Sequence, residues 1–289
     1  MNVAFLGTGL MGLPMARRVL AAGHRLVVYN RTQPRAAALQ ASGAVLASSP
    51  AAALEESQVA VLMLSDAAAV EAVLFGSRPQ PAFGGRTLVQ MGTISPEQSR
   101  AFAGRIEQAG GDYLEAPVLG SIPQAEAGSL QVMVGAAPER YERWRGLLEC
   151  FGTAPMLVGP VGQAAALKLA LNQLIASMTA AFALSLGFVE RQRVPVSRFM
   201  EILRQSALHA ATFDKKLPRM VSRDFSAPTF PAKHLAKDVA LFLEAARGQD
   251  LDTSPLESVL FVLRSTLAAG LGDADYSSLY EAICPERKR

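Results

Sequence analysis

The stretch VAFLGTGLMGLPMARRVLAAGHRLVVYNRT, residues 3–32, decides the fold that we predict for this chain. It begins with a short apolar run, passes through closely spaced glycines, continues with apolar residues at helical spacing and ends in a β-branched run. A strand, a glycine-rich turn, a helix and a second strand in this order are typical of a βαβ unit. The glycines are Gly7, Gly9 and Gly12, so the turn has the spacing G-x-G-x-x-G.

Each glycine of this turn has its own physical reason. Gly7 permits a tight turn, Gly9 lets the backbone approach a pyrophosphate without a Cβ in the way, and Gly12 permits close packing of the helix on the strand. The first N–H groups of the helix and the positive end of its dipole suit phosphates. The turn therefore predicts a dinucleotide site formed by Gly7, Gly9, Leu10, Met11 and Gly12. A glycine-rich turn without a ligand is the alternative.

The second strand ends in Asn30-Arg31-Thr32 and not in an acidic residue. Sites for NAD usually have Asp or Glu at this place, where the carboxylate binds the ribose 2′-OH. A carboxylate would repel a 2′-phosphate, whereas the Arg31 guanidinium would attract it and Thr32 can donate a further hydrogen bond. The sequence therefore predicts that Asn30, Arg31 and Thr32 bind NADP(H) in preference to NAD(H).

The composition excludes several classes of protein. Half of the 289 residues are hydrophobic and 18% are charged, which argues against disorder and provides for sizeable cores. The net charge of +3 comes without the concentrated basic face that nucleic-acid binding needs. The two cysteines have no CxxC spacing, which predicts a reducing compartment and no zinc site. We therefore expect a cytoplasmic protein with a small-molecule substrate, without a resident metal, a nucleic-acid partner or a membrane.

Strand and helix patterns alternate up to about residue 160. This alternation predicts right-handed βαβ units and a mostly parallel sheet covered on both faces. After Gly159-Pro160 the pattern becomes helical, beginning with one long helix over residues 163–190. We therefore predict an α/β fold, with a Rossmann-like dinucleotide-binding domain at 1–160 and an all-α domain at 161–289 led by that long interdomain helix. The uncharged segment 169–189 is long enough to span a bilayer, but polar residues interrupt it and favour a buried helix.

Lys168 is the candidate for proton transfer in the second half of the chain. Lys is scarce in this Arg-rich sequence, and Lys168 lies within the apolar stretch AAALKLALNQ. A lysine with a buried stem can have a lowered pKa, which suits proton transfer. Asn172 follows four residues later and therefore shares its helical face. A lysine that reaches the surface from an interfacial helix is the alternative reading.

Four separated segments resemble the β-hydroxyacid dehydrogenases, the family of 3-hydroxyisobutyrate dehydrogenase. They are GTGLMGLPMARRVLAAGH (7–24), EAPVLGSIPQAEAGSL (115–130), GQAAALKLALNQ (162–173) and FPAKHLAKDVAL (230–241). Three shorter segments look closest to the glyoxylate/succinic semialdehyde reductase branch. They are LSD (64–66), EAGSL (126–130) and AGLGDADYSSLYEAI (269–283).

The resemblance implies hydride transfer between NADP(H) and the aldehyde carbon of a short-chain aldehyde acid, such as glyoxylate or succinic semialdehyde. In this family pattern Lys168 is the general acid or base, and Asn172 orients it or the substrate. A homodimer or homotetramer is also implied. The resemblance adds Leu64, Ser65, Thr93 and Lys237 to the cofactor site, and it places Thr93, Leu119, Gly120, Ser121, Phe230 and Asp238 at the substrate.

The sequence departs from the family pattern in the substrate loop. The usual P-V-S-G reads Pro117-Val118-Leu119-Gly120 here, so Leu119 lacks the hydroxyl that would bond a substrate carboxylate. The N–H groups that follow and the hydroxyl of Ser121 are retained. We therefore expect a substrate that is less polar near its carbonyl than glyoxylate. An imine reductase-like enzyme and a non-catalytic NADP-binding protein are the alternative functions.

The family pattern also has a common Ser where this chain has Gly92, next to Thr93. From the sequence alone we expect this to be the milder of the two changes.

Overall fold

A computed structural model describes residues 1–32 and 34–286 of the chain. The short basic tail at 287–289 lies outside the described residues. The chain divides into two compact units, Met1–Leu169 and Ala170–Arg289. The division falls within the long helix, nine residues after the domain boundary predicted at 160/161. The first turn of the long helix is hydrogen-bonded to Glu115 of the first unit.

The first unit is built on one sheet. Among the described residues it has nine strands in the order β3-β2-β1-β4-β5-β6-β8-β7, and β9 also pairs with β8. The strands are β1 (Asn2–Leu6), β2 (Arg25–Tyr29), β3 (Val45–Leu46), β4 (Val59–Leu62), β5 (Thr87–Gln90), β6 (Asp112–Glu115), β7 (Val118–Leu119), β8 (Gln131–Gly135) and β9 (Met156–Gly159). Strands β1 to β6 are parallel, and β8 runs antiparallel to β6. The predicted mostly parallel sheet is therefore confirmed.

Helices cover both faces of this sheet. They are α1 (Gly12–Ala21), α2 (Pro34–Gln40), α3 (Pro50–Glu55), α4 (Ala67–Leu74), α5 (Pro96–Gln108), α6 (Ile122–Ala127) and α7 (Pro138–Leu148). The side chains of β1 alternate between two hydrophobic cores. Val3 and Phe5 face the core that includes α1, α2 and α7, whereas Ala4 and Leu6 face the core that includes α3, α4 and α5. Burial on both faces explains why the central strands read as continuous apolar runs.

The second unit is helical in the part of the chain that the structure describes, as predicted. Its helices are the remainder of α8 (Gln163–Arg191), then α9 (Val196–Arg204), α10 (Ala211–Ser222), α11 (Ala232–Ala246), α12 (Ser254–Ala268) and α13 (Leu279–Ile283), with a 3-10 turn at Tyr276–Ser278. Phe182 of α8 stacks on Phe213 of α10 with ring centroids 4.7 Å apart. A buried ion pair between Lys216 and Asp275, at 2.8 Å, joins α10 to the segment before the 3-10 turn.

Helix α8 is long and apolar enough to cross a bilayer by length and composition. Within its most apolar window, 39% of the residues are buried inside the protein. The core helix of a soluble protein passes the same test, so the helix is weak evidence for a membrane span.

Candidate active site

The glycine turn has the geometry of a phosphate cradle. Gly7 has φ +102°, and a Cβ there would overlap the carbonyl oxygen of Met63. A Cβ on Gly12 would overlap the carbonyl oxygen of Gly7, so no larger residue fits at the start of α1. A Cβ on Gly9 would meet nothing within 4 Å, which leaves the backbone open to a ligand.

The start of α1, where Leu10 and Met11 lie, is open as well. Within residues 1–32, no side chain caps this helix and no acidic residue lies in its first turn. Uncapped N–H groups and a positive dipole end are what a pyrophosphate requires. The residues present therefore fit a dinucleotide.

Asn30 holds the glycine turn against the end of β2. Its Oδ1 accepts a hydrogen bond from the Thr8 N–H at 3.0 Å, and its Nδ2 donates to the Thr32 carbonyl at 2.8 Å. Both polar atoms of Asn30 therefore have protein partners. The side chains of Arg31 and Thr32 are exposed beside this turn.

The carboxyl ends of β1, β4 and β5 meet beside the turn. Leu64 lies against Gly7, because a Cβ on Gly7 would come within 2.9 Å of Leu64 Cδ2. A Cβ on Gly92 would overlap the Leu64 carbonyl oxygen, so a Ser at this position would displace backbone. The backbone of this chain is therefore packed around a glycine at residue 92, whereas the effect of the replacement on function stays a prediction. Thr93 follows it and is half-buried.

Ser65 lies at the same edge of the sheet and is exposed. Its hydroxyl donates to Asp66 Oδ2 at 2.9 Å. Asp66 in turn accepts from the Ala69 N–H at 2.8 Å and caps helix α4. In this structure Ser65 therefore supports the cap of a helix that begins at the predicted cofactor site.

The polar donors of Ser121 in the substrate loop are bonded within the loop itself. The N–H and the hydroxyl of Ser121 both donate to Gln124 Oε1, at 3.0 and 2.8 Å. The sequence suggested that both donors are available to a substrate, but the start of helix α6 uses them. Leu119 is half-buried and pairs with Gln131 in the β7–β8 ladder. Gly120 is exposed, and its φ of +139° suits glycine.

Lys168 lies in the second turn of α8 and is only 9% exposed. The start of that helix is held by Glu115, a residue to which sequence reasoning assigned no role. Glu115 Oε1 accepts from the N–H groups of Gly162, Ala164 and Ala165 at 2.8, 2.9 and 3.1 Å. The only sequence signal was an acidic residue at the end of a strand, where burial disfavours it.

In the second unit, Asn172 belongs to a buried polar chain. Its Nδ2 donates to Asp238 Oδ2 at 2.6 Å, and Lys237 Nζ lies 2.9 Å from Asp238 Oδ1. Asn172 and Asp238 are 1% and 2% exposed. Among the described residues, Asn172 Oδ1 has no hydrogen-bond partner. Asp238 therefore fixes the amide so that its oxygen is left to accept a hydrogen bond.

Phe230, the other predicted substrate residue of this unit, is half-buried. It packs edge-on against Tyr276 with ring centroids 5.8 Å apart. Over residues 1–32 and 34–286, no three His, Cys, Asp or Glu side chains form a group that could hold a metal ion.

Comparison with known proteins identifies the family. Residues 2–161 match the family model for the NAD-binding domain of 6-phosphogluconate dehydrogenase. Residues 162–283 match the model described as NAD-binding of NADP-dependent 3-hydroxyisobutyrate dehydrogenase.

Relatives agree with these models over nearly the whole chain. The Escherichia coli 2-hydroxy-3-oxopropionate reductase is 31% identical, over 98% of this chain and 97% of its own length. The Arabidopsis thaliana chloroplastic glyoxylate/succinic semialdehyde reductase 2 is 30% identical, over 100% of this chain and 81% of its own length.

A solved structure, the 3-hydroxyisobutyrate dehydrogenase of Mycobacterium tuberculosis with L-serine, shares the fold. Its TM-score is 0.86 at 23% identity, over 98% of both chains. The chain is therefore a nicotinamide dinucleotide-binding oxidoreductase that belongs to the 3-hydroxyisobutyrate dehydrogenase-like family of β-hydroxyacid dehydrogenases.

Proposed function

We propose that this protein is an NADP(H)-dependent reductase of a short-chain aldehyde acid, such as glyoxylate or succinic semialdehyde, or catalyses the reverse reaction. The observation that carries the proposal is the buried Lys168, four residues before an Asn172 whose amide is fixed by Asp238. The two relatives named above are reductases of this substrate class.

The preference for NADP(H) rests on the end of β2. Arg31 and Thr32 are exposed there, and residues 30–32 include no carboxylate. Because Asn30 is bonded to both Thr8 and Thr32, the Arg31 backbone is held between two fixed points. The guanidinium can then form charge-assisted hydrogen bonds with a 2′-phosphate. The matching family model for the second unit is also described as NADP-dependent.

A bound nicotinamide would supply the hydride, and the role of Lys168 is to supply the proton. As an ammonium, Lys168 stabilises the negative charge that develops on the carbonyl oxygen and then transfers a proton to it. Burial of Lys168 limits its contact with water and strengthens this interaction. In the reverse direction, the neutral amine accepts the proton of the hydroxyl group.

Asn172 lies about 6 Å further along the helix axis, at 1.5 Å per residue. Its free acceptor, Oδ1, suits an ammonium or a substrate hydroxyl. The carboxylate of Asp238 prevents rotation of the amide, so the oxygen stays directed away from Asp238. Asp238 is thus a positioning residue in this proposal, although the sequence assigned it to the substrate.

The substrate loop favours a substrate that needs few polar contacts near its carbonyl. Leu119 presents no hydroxyl, and both donors of Ser121 are occupied by Gln124. The N–H of Gly120 is the group of this loop that we assign to such a substrate.

The test is loss of NADPH absorbance with glyoxylate, succinic semialdehyde, methylmalonate semialdehyde and a cyclic imine, with NADH in parallel. We expect turnover of a semialdehyde, reduced by about 10²–10⁴-fold in Lys168→Ala. Lys233→Ala is the matched control, because Lys233 forms an exposed pair with Asp273. Full activity of Lys168→Ala would overturn the mechanism. Turnover of the imine alone would favour an imine reductase, and tight NADPH binding without any turnover would favour a non-catalytic protein.

The proposed assembly is a homodimer or homotetramer. Leu174, Leu184 and Phe188 of α8 are 48%, 62% and 63% exposed. Their spacing of ten and then four residues places them along one side of the helix. A second copy of the chain would remove this apolar stripe from water.

A further inference from the structure

We infer that Glu115 is a positioning residue for Lys168. Glu115 holds the first turn of α8, and its negative charge favours the ammonium form of Lys168. This inference rests on the proposed role of Lys168 as the general acid. Both residues lie in the first compact unit.

The contacts of Glu115 are those of an ionised carboxylate. Three N–H groups at the start of α8 donate to Oε1, and the Ser99 hydroxyl donates to Oε2. A carboxylate accepts all of these bonds, whereas a protonated acid would bring a donor of its own. Burial is the largest influence and raises the pKa of Glu115 above its usual value, while the hydrogen bonds from Ser99, Ala165, Gly162 and Ala164 oppose this rise.

The protein is shaped around this carboxylate. Glu115 is 1% exposed, and a Cβ on Gly135 of the neighbouring strand would overlap Glu115 Oε1. Glycine at this position therefore makes room for the acid. Ser99 of α5 is also bonded to Tyr113 of β6, with 2.9 Å between the two oxygens. Four separate elements, β6, β8, α5 and α8, thus converge on one side chain.

Position along the helix connects Glu115 to Lys168. Lys168 lies five residues after the first residue of α8, or about 7.5 Å along the axis at 1.5 Å per residue. An anion at a helix N-terminus also offsets the positive dipole end, which would otherwise disfavour an ammonium nearby. Loss of the negative charge would therefore make Lys168 release its proton at a lower pH.

Other titratable groups around the carboxylate are Tyr113 and Arg100. Burial raises the pKa of Tyr113, which keeps it neutral in the assay range. Arg100 packs over Gly162 and is paired with Glu97 at 3.0 Å.

Glu115→Gln is the first variant, because it keeps the size and one acceptor oxygen for the three N–H groups. In the reduction, Lys168 must be protonated, so kcat falls as pH rises through the alkaline limb of its profile. We expect Glu115→Gln to move that limb to lower pH by about 0.5–1 unit, with NADPH affinity unchanged. Glu139→Gln, an exposed acid on α7, is the matched control and leaves the limb in place.

Two further variants separate charge from position. Glu115→Asp keeps the charge but withdraws it by one methylene, so the limb moves in the same direction as in Glu115→Gln, but by less. Gly135→Ala displaces the carboxylate from the helix start, so the limb moves in the same direction as in Glu115→Gln; this variant decides the question if Glu115→Gln does not fold.

If the alkaline limb of the kcat profile stays at the wild-type pH in Glu115→Gln and only Tm is lowered, Glu115 merely caps helix α8. That result would overturn the inference. The same holds for Gly135→Ala if it replaces the first variant. The role of Lys168 is tested separately by Lys168→Ala. If Lys168→Ala keeps residual activity with the alkaline limb at the wild-type pH, another group is responsible for that limb. The proposed mechanism would then fail, whatever the Glu115 variants show.

Discussion

Replacement of Asp238 tests whether the Asn172 amide is held by a buried carboxylate. Asp238 and Asn172 are 2% and 1% exposed, and the Nδ2–Oδ2 distance is 2.6 Å. Asp238 also lies 2.9 Å from Lys237, whose side chain is 24% exposed. Asp238→Ala removes both interactions and leaves a buried amide N–H without its acceptor. Asp238→Asn keeps an acceptor oxygen but removes the charge.

The magnitudes follow from this geometry. A hydrogen bond to a charged group contributes about 1.5–3 kcal/mol, and an unsatisfied buried donor costs a comparable amount. The ion pair with the partly exposed Lys237 adds at most about 1 kcal/mol. We therefore expect Asp238→Ala to lower the free energy of unfolding by about 2–4 kcal/mol. Charged hydrogen bonds are about twice as strong as neutral ones, so Asp238→Asn should lose about 1 kcal/mol.

The assay is chemical denaturation together with kcat for the preferred aldehyde. If the amide must be held for catalysis, a positioning loss of about 1.4 kcal/mol lowers kcat tenfold in Asp238→Ala. Asp273→Asn is the matched control, since Asp273 pairs with Lys233 at 2.5 Å but is 88% exposed. It should leave stability and kcat unchanged. Equal stability and equal kcat for Asp238→Ala and this control would refute the reasoning.

Three other predictions concern the cofactor, the substrate loop and the assembly. Arg31→Glu should weaken NADPH binding by about 10–150-fold, the equivalent of 1.5–3 kcal/mol, and leave NADH binding unchanged in fluorescence titrations; a retained preference for NADPH would contradict the role of Arg31. Leu119→Ser should raise kcat/KM for glyoxylate or succinic semialdehyde by about tenfold, and no rise would show that residue 119 does not limit recognition of the acid. Leu184→Asp with Phe188→Asp should dissociate the oligomer in light scattering, whereas a monomeric wild type at micromolar concentration would exclude the assembly.

The parts of the fold that could be predicted are those with a periodic pattern of apolar residues over a short stretch of sequence. The strands Arg25–Tyr29 and Thr87–Gln90, for example, coincide with short apolar runs of the sequence. The glycine turn was predictable for the same reason, because its spacing and its flanking strands are all within 30 residues. The helical second unit followed from its long apolar periodicity.

Strand β7, helix α6 and the partners of the polar side chains could not be predicted. Strand β7 has two residues and helix α6 has six, too few to show a period. The tight packing of Gly92 could not be predicted, because the Leu64 carbonyl oxygen that a Cβ would overlap is distant in sequence. The donors of Ser121 were assigned to a substrate because nothing local marked Gln124 as their acceptor.

The sequence by itself determined the parallel sheet, the dinucleotide turn, the helical second unit and the family, because each is encoded in contiguous residues with a fixed spacing. The tertiary structure alone decided which polar side chains are held for function. Glu115 meets the start of α8 across 47 to 50 residues, and Asp238 meets Asn172 across 66. Burial explains these partners, because a charge removed from water is costly unless it is hydrogen-bonded. The donors then come from whichever segments the fold places beside the charge.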